Sequence, residues 1–346
     1  MRIAVVTSDV PFVEGGHLVI ARATVKALRD EGHEAELVLT PQNRFSRLFR
    51  AYIANRFTDV EEDALGRHID QVISFRFPSY AVKHAAHVCW LNHRFREYYD
   101  LWDILVSQLR PAGRMKHTLR RVLIHALDRF LLRRNVTKLY AQSRTIQERL
   151  MRWGRIPSEV LYPPPPPRPY RTDSYDATVL AISRLEKLKR IDLLVEAFRH
   201  VKNKDLRAVI IGTGSQESAL AEKIRSYGLG SRLSLLGAVG EQVVMDHYAR
   251  CLAVFFAPLR EDYGFVTVEA FACRKPVITT SDSGGPAEIV EHRKSGVIVD
   301  PNPERIAEAL DELAENAALA RQWGEEGHEW VSRLSWETVV QKLVIV

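Results

Sequence analysis

Short apolar runs alternate with amphipathic helical segments along most of this 346-residue chain. The alternation predicts repeated βα units and therefore parallel sheets, because parallel strands are joined by crossover helices. In the first half of the chain, strands are predicted at 3–7, 33–40, 71–75, 87–91, 138–143 and 159–162. In the second half, they are predicted at 177–183, 208–212, 233–236, 253–258, 277–280 and 297–299.

A run of five prolines at 163–167 separates the two series of strands. Such a run is extended and stiff, as a domain boundary requires. The chain is also too long for one ordinary open α/β domain. We therefore predict an α/β protein of two Rossmann-like, doubly wound parallel-sheet domains facing a central cleft, one at 1–165 and one at 166–330.

The composition, 46% apolar and 27% charged residues, is typical of a soluble globular protein. No apolar run reaches 18 residues and Arg2 leads directly into the first strand, so neither a membrane-spanning helix nor a signal peptide is predicted. The three cysteines lie in apolar segments without metal-ligand spacing, and we interpret them as reduced core residues of a cytoplasmic protein. No Asp-x-Asp motif follows a strand, so no metal cofactor is expected.

Positive charge is concentrated in the first half of the chain. Residues 1–172 contain 28 Lys and Arg against 17 Asp and Glu, a net charge of +11, whereas residues 173–346 contain 21 against 26, a net charge of −5. Much of the excess lies at 110–138, where nine Lys and Arg are interspersed with Leu, Val and Phe. The asymmetry suggests that the two halves bind different partners.

The basic segment at 110–138 has two main interpretations. One is a helix packed on the core with a solvated cationic face. The other is a face that binds an anionic membrane surface or an anionic acceptor, helped by Arg44, Arg47 and Arg50. Nucleic acid is a weaker option, because no basic–aromatic module accompanies the charge. We favour the membrane and predict a peripheral protein at the cytoplasmic face of the plasma membrane.

The stretch at 261–269 holds two carboxylates on either side of a bend. Glu261 follows the strand predicted at 253–258, and Glu269 lies in the next helix, predicted at 267–273. Backbone N–H groups of Gly264, Phe265 and Val266 lie at the start of that helix, where they can bind an oxygen-rich ligand. Acceptors beside donors suit a polyhydroxylated ligand such as a sugar. The alternative is an ordinary loop carboxylate and an ordinary helix carboxylate.

Two cations follow the first strand of the second half. Arg184 and Lys189 flank the loop at the end of this strand, where they could clamp a diphosphate without a metal. We interpret the neighbouring Lys187 and Arg190 as surface charges. This part of a parallel sheet, beyond the carboxyl ends of the strands, is where ligands bind.

Two glycine turns also follow strands. Gly212 and Gly214 could border a nucleotide base, and Gly15 with Gly16 could let the backbone approach a phosphate. A plain turn is the alternative for the second pair, since the full dinucleotide fingerprint is absent there.

Together these motifs resemble glycosyltransferase family 4, whose members are retaining enzymes of the GT-B architecture with a nucleotide-sugar donor. The resemblance covers most of 177–336 in the same order and is looser in the first half. It rests on Arg184 and Lys189, Gly212-x-Gly214, Gly237-x-Val239, Glu261-x7-Glu269 and residues 283–288. Residues 335–337 resemble the start of the family's terminal helix, which implies that 331–346 packs back on the first domain.

The resemblance implies donor contacts at the matching positions of the second domain. Arg184 and Lys189 would bind the donor diphosphate. Glu269 would bind the ribose hydroxyls, and Val239 would contact the base through its backbone. Glu261 would bind the sugar hydroxyls together with the amides of residues 264–266.

In the first domain, the resemblance implies that the backbone of Gly16 lies near the diphosphate. His93 would help to place the donor and the reacting centre. The chain departs from the family at Arg190, where glycine is usual, and at Asp262–Tyr263. These departures leave the sugar preference open.

The resemblance thus implies a retaining, metal-independent glycosyltransferase. It would move a hexose from a GDP- or UDP-sugar to a glycan or lipid-linked saccharide in cell-envelope polysaccharide or glycoconjugate synthesis. In this family, retention is generally explained by front-face attack, with the departing phosphate accepting the acceptor's proton. The alternatives are a GT-B-type nucleotide-sugar 2-epimerase and a non-catalytic sugar-nucleotide binding protein.

Overall fold

The computed structural model describes residues 1–9, 16–42 and 47–345. The chain divides into a first unit, Met1–Pro166 with Ser335–Val346, and a second unit, Pro167–Leu334. No helix in these ranges is both long enough and apolar enough to cross a membrane.

The first unit is built on a six-stranded parallel sheet in the order β2-β1-β3-β4-β5-β6. Its strands are β1 Arg2–Asp9, β2 Glu34–Pro41, β3 Gln71–Arg76, β4 His87–His93, β5 Lys138–Ala141 and β6 Glu159–Val160. Its first five helices are α1 Gly16–Asp30, α2 Leu48–Arg56, α3 Trp102–Ser107, α4 Pro111–Arg134 and α5 Arg144–Arg152. Every residue of β3 is buried, as expected of a central parallel strand that is covered on both faces.

The second unit is built on another six-stranded parallel sheet, in the order β12-β11-β10-β7-β8-β9. Its strands are β7 Asp176–Ile182, β8 Arg207–Ile211, β9 Leu233–Gly237, β10 Cys251–Phe255, β11 Val277–Thr280 and β12 Gly296–Val299. Its helices are α6 Ile191–Ala197, α7 Glu217–Ser226, α8 Glu241–Arg250, α9 Phe265–Ala272, α10 Gly285–Ile289, α11 Pro303–Glu315 and α12 Ala317–Ser332. The prediction of two parallel α/β sheets is confirmed.

The last helix, α13 Trp336–Leu343, packs on the sheet of the first unit. Gln71 on β3 donates to the Leu343 carbonyl at 2.7 Å and accepts from the Ile345 N–H at 2.9 Å. The Tyr140 hydroxyl donates to the Lys342 carbonyl at 3.0 Å. The bonds from Gln71 and Tyr140 satisfy carbonyl groups at the end of α13 that have no partner within the helix.

The strand order of the second sheet reverses at β7. This strand pairs with β10 on one side and β8 on the other, so its two neighbours come from opposite directions along the chain. In open α/β sheets, the crevice beyond the carboxyl end of such a strand is the usual place for a ligand. The loops after β7 and β10 are therefore the part of this unit where a binding site is expected.

Candidate functional site

The loops after β7 and β10 meet beyond the ends of their strands. The Leu259 N–H donates to the Leu188 carbonyl at 2.8 Å, which ties the two loops together. Lys189 Nζ lies 2.6 Å from Glu261 Oε2, and the two side chains are only 17% and 19% exposed. The structure thus brings together the cation predicted to bind a diphosphate and the carboxylate predicted to bind a sugar.

The loop after β11 holds Glu261 in place. The Glu261 N–H donates to the Ser283 carbonyl at 2.7 Å, and the Glu261 carbonyl accepts from the Gly285 N–H at 3.0 Å. Gly284 has a positive φ of 74°, and a Cβ there would collide with the Glu261 carbonyl oxygen. A glycine is therefore required at this position of the 283–288 motif.

Arg190 connects three loops, so its interpretation as a surface charge is wrong. Its guanidinium donates to both carboxylate oxygens of Asp282 at 2.7 Å, to the Ala257 carbonyl at 2.9 Å and to Thr280 Oγ1 at 2.8 Å. Burial would raise the pKa of Asp282, but the hydrogen bonds from Arg190 and Thr280 and the charge of Arg190 together lower the pKa. The backbone φ of Arg190 is 50°, in the left-handed region that glycine adopts most readily. These bonds explain why an arginine is tolerated where the resembling family has glycine.

The glycine turn at 212–214 packs on the loop that carries Arg184. A Cβ at Gly212 would collide with the Ser183 carbonyl, and a Cβ at Gly214 would collide with the Leu185 carbonyl. The Leu185 N–H also donates to the Thr213 carbonyl at 2.8 Å. Packing alone accounts for both glycines, and their contact with a nucleotide base stays a prediction.

Arg184 itself is exposed. Within the described ranges, its guanidinium has no hydrogen-bond or ion-pair partner. It therefore differs from Lys189, whose charge is already neutralised by a carboxylate. An arginine in this state can bind an incoming anion without first breaking an ion pair.

Glu269 on α9 is buried, with 8% of its side chain exposed, and has two partners that sequence reasoning missed. Its Oε1 lies 2.9 Å from Arg168 Nη1, and its Oε2 accepts from the Tyr248 hydroxyl at 3.1 Å. Burial raises the pKa of Glu269, while Arg168 and Tyr248 act in the opposite direction. Glu241 also lies near Arg168, at 3.6 Å from its Nε. A lone arginine within the proline-rich segment was the one available signal for this pair.

The helix α9 begins at Phe265, two residues earlier than predicted. Gly264 caps it with a φ of 90°, and a Cβ there would lie 2.9 Å from the Phe256 ring and from Pro286. The first N–H groups of a helix have no acceptor within it. Those of Phe265 and Val266 therefore lie at a helix end that favours anionic or oxygen-rich ligands.

Residues 167–330 match the family model described as glycosyl transferases group 1. An exopolysaccharide phosphotransferase of Streptomyces coelicolor is 32% identical over 169 residues, which cover 48% of this chain and 18% of that protein. A GDP-mannose-dependent α-(1-6)-phosphatidylinositol monomannoside mannosyltransferase of Mycobacterium tuberculosis is 33% identical over 178 residues, which cover 48% of this chain and 46% of that protein. The chain thus spans less than half the length of these curated relatives.

The structure is also similar to that of sucrose-phosphate synthase from Thermosynechococcus elongatus. The TM-score is 0.73 at 18% identity, over 99% of this chain and 97% of that one. This likeness confirms the predicted fold class, the α/β architecture of GT-B proteins with two parallel sheets.

All the paired groups described above lie inside the segment that matches glycosyl transferases group 1. Val239, predicted to contact the base, also lies in this segment, after β9 and half-buried. The Gly212 N–H donates to the Gly237 carbonyl at 2.8 Å, so the glycine turn lies beside the chain that leads to Val239.

Three candidates lie in the first unit, outside the glycosyl transferases group 1 segment. His93 is the last residue of β4, and its Nδ1 lies 2.7 Å from the Arg94 carbonyl. A carbonyl can only accept, so Nδ1 carries the proton. Gly16 is the exposed first residue of α1, and Gly15 falls outside the described residues. Across the described ranges, no three His, Cys, Asp or Glu side chains are grouped as a metal site.

Proposed function

We propose that the protein is a glycosyltransferase whose second unit binds a nucleoside-diphosphate sugar. The observation that supports this most is the Lys189–Glu261 pair at the switch point of the second sheet, inside the segment that matches glycosyl transferases group 1. A diphosphate needs cations and a sugar needs acceptors for its hydroxyls, and both groups lie here within 2.6 Å of each other.

Donor binding exchanges the partners of this ion pair. The diphosphate replaces Glu261 as the partner of Lys189 and also binds the exposed Arg184. Glu261, released from Lys189, then accepts hydrogen bonds from the sugar hydroxyls. The two cations stabilise the negative charge that grows on the departing nucleoside diphosphate, and this lowers the barrier because the charge is larger in the transition state than in the donor.

Glu269 binds the ribose of the donor in this proposal. While it is ionised, its carboxylate accepts strong hydrogen bonds from the ribose hydroxyls, and protonation weakens them by turning one oxygen into a donor. Arg168 and Tyr248 hold it in position and favour the ionised form against the effect of burial. The N–H groups at the start of α9 supply further donors for the sugar or phosphate oxygens.

Retention follows from the resemblance to family 4. The bond from the anomeric carbon to the diphosphate oxygen breaks, and the acceptor oxygen forms its bond on the same face of the sugar. The departing phosphate takes the acceptor's proton, so no protein nucleophile is needed. His93 helps to place the donor, and no metal takes part.

The donor is a GDP- or UDP-hexose, and the acceptor a glycan or a lipid-linked saccharide of the cell envelope. The name of the Mycobacterium tuberculosis relative supports GDP-mannose and a lipid acceptor, because it names both. With such an acceptor, we propose that the protein acts at the cytoplasmic face of the membrane.

Labelled GDP-mannose, UDP-glucose and UDP-N-acetylglucosamine, each incubated with the protein with and without a lipid extract, test the proposal. We expect label from one donor to move to the extract, also in the presence of a chelator. A nucleotide sugar epimerised at C2 would indicate the 2-epimerase. Binding with no product from any donor would indicate a binding protein. Loss of transfer with the chelator would contradict metal independence.

A further inference from the structure

The outward face of α4 is apolar. Five side chains recur on one side of this helix, and each is at least 49% exposed: Met115, Leu119, Val122, Leu123 and Phe130. A different set, including Ile124, Asp128 and Leu131, is buried. The helix thus packs on the core through one side, as one interpretation of the basic segment predicts, but its outward side is apolar and not only cationic.

A second apolar stripe lies on and just after α2. Phe49, Ile53 and Phe57 follow one another at intervals of four residues, and all three are exposed. They line a groove together with Leu127 and Phe130 of α4. The two stripes therefore form one surface, which we name the α2/α4 face.

Buried hydrogen bonds fix the two helices to each other. The Tyr52 hydroxyl of α2 donates to the Asp128 carboxylate of α4. Tyr80 and Tyr99 also donate to Asp128, each at 2.6 Å. Burial raises the pKa of Asp128, and three hydroxyl donors satisfy this otherwise isolated carboxylate. The bond from Tyr52 thus joins α2 to α4 beneath the α2/α4 face.

The flanks of this face are cationic. The helix α4 contains seven Lys and Arg and one acidic residue, the buried Asp128. The helix α2 contains Arg50 and Arg56 and no acidic residue. Arg114, Lys116 and Arg129 are exposed, and among the described residues none of them has a carboxylate partner. An exposed apolar stripe between cations is the pattern of a helix that lies in the plane of a membrane interface.

We propose that the α2/α4 face docks on an anionic lipid bilayer and inserts the α4 stripe among the acyl chains. The cations bind the lipid phosphates, and the apolar side chains move from water into the bilayer. Both the charged and the apolar part of the face therefore contribute to the binding free energy. The sequence predicts membrane binding from a basic segment interspersed with apolar residues, and the structure adds which apolar side chains are exposed for insertion. The docking also goes beyond the proposed glycosyl transfer, because vesicle binding needs no nucleotide sugar.

Flotation with vesicles of phosphatidylcholine, with and without phosphatidylglycerol, tests the docking. We expect binding to the anionic vesicles only. Removing three cations together (R114Q, K116Q and R129Q) should weaken it by roughly a hundredfold, at about fivefold per cation. The control R225Q, R305Q and K294Q removes the same charge from exposed ion pairs of the second unit and should bind as the wild type does. Equal losses in both variants would overturn the proposal.

A site-specific label tests the insertion. Cys89, Cys251 and Cys273 are all buried, so Leu123→Cys can be labelled selectively with an environment-sensitive dye. Leu65→Cys, at a leucine elsewhere in the first unit that is 78% exposed against 49% for Leu123, is the control. We expect a blue shift on anionic vesicles at position 123 and none at 65. The same response at both positions, or none at 123 while the protein floats with the vesicles, would contradict insertion.

Discussion

The candidate site of the second unit and the α2/α4 face of the first unit differ in whether their cations are paired with carboxylates. In the site, two cations lie against carboxylates, Lys189 against Glu261 and Arg190 against Asp282, and the exposed Arg184 is the exception. On the α2/α4 face, the exposed cations have no carboxylate partner within the described part of the chain. Paired charges hold a site in shape and exchange partners when a ligand enters, whereas unpaired charges around apolar side chains suit an extended anionic surface.

The two regions also differ in whether they lie in the part of the chain that is similar to known proteins. The site lies in residues 167–330, which match glycosyl transferases group 1, and the α2/α4 face lies outside them. Similarity is thus informative about the second unit, and the α2/α4 face has to be understood from this chain's own residues. Mutations of the charged residues of the site can show whether they contribute to binding the donor or only to the stability of the fold.

The largest effect is expected from Lys189→Ala. If Lys189 stabilises the departing diphosphate as proposed, its removal should lower turnover by roughly 10²–10³. Steady-state kinetics with the best donor measure it. Lys187→Ala, an exposed lysine two residues earlier in the same turn, is the matched control and should stay near the wild-type rate. A rate for Lys189→Ala equal to that of the control would show that Lys189 does not bind the donor diphosphate.

Arg190→Ala should act on stability. It leaves Asp282 without its bidentate partner and releases the ends of three loops, so we expect a loss of about 2–3 kcal/mol in the free energy of unfolding. Urea titration measures the loss. Arg199→Ala breaks an exposed pair with Glu196 and should cost less than about 1 kcal/mol. Equal losses would show that Arg190 is a surface charge after all.

Arg168→Gln should weaken the binding of a nucleoside diphosphate by roughly tenfold near neutral pH, the effect of one charge-assisted hydrogen bond. Tyr248, Tyr170, Glu241 and Cys273 also face the Glu269–Arg168 pair. Burial already raises the pKa of Glu269, and removing the cation raises it further. Protonated Glu269 accepts hydrogen bonds from ribose more weakly, so the binding defect should grow as the pH falls and shrink as it rises.

Two controls separate a ribose role of Arg168 from a structural one. With a 2′,3′-dideoxynucleoside diphosphate, which lacks the ribose hydroxyls, the wild type and Arg168→Gln should bind equally. Arg171→Gln, which alters the exposed pair with Asp173, should bind the normal ligand as the wild type does. If Arg168→Gln also binds the dideoxy ligand more weakly than the wild type does, Arg168 has only a structural role.

Local patterns predicted the strands and the loops that carry Lys189 and Glu261. Buried parallel strands are continuous apolar runs, and the residues that follow them reach the same edge of the sheet. Local patterns could not show that Arg168 pairs with Glu269, since 101 residues separate them. They also could not show which way α4 faces, because helical periodicity places residues on a common side without saying whether that side is inward.

Titration calorimetry of the whole protein with a nucleoside, its monophosphate and its diphosphate tests the central claim most directly. If Lys189 and Arg184 hold the donor diphosphate, the second phosphate should raise affinity by about tenfold or more, as one charge-assisted contact does. In Lys189→Ala, most of that gain should disappear, while the affinity for the nucleoside stays unchanged. An equal gain in both proteins, or no binding of GDP or UDP at millimolar concentration, would contradict the account.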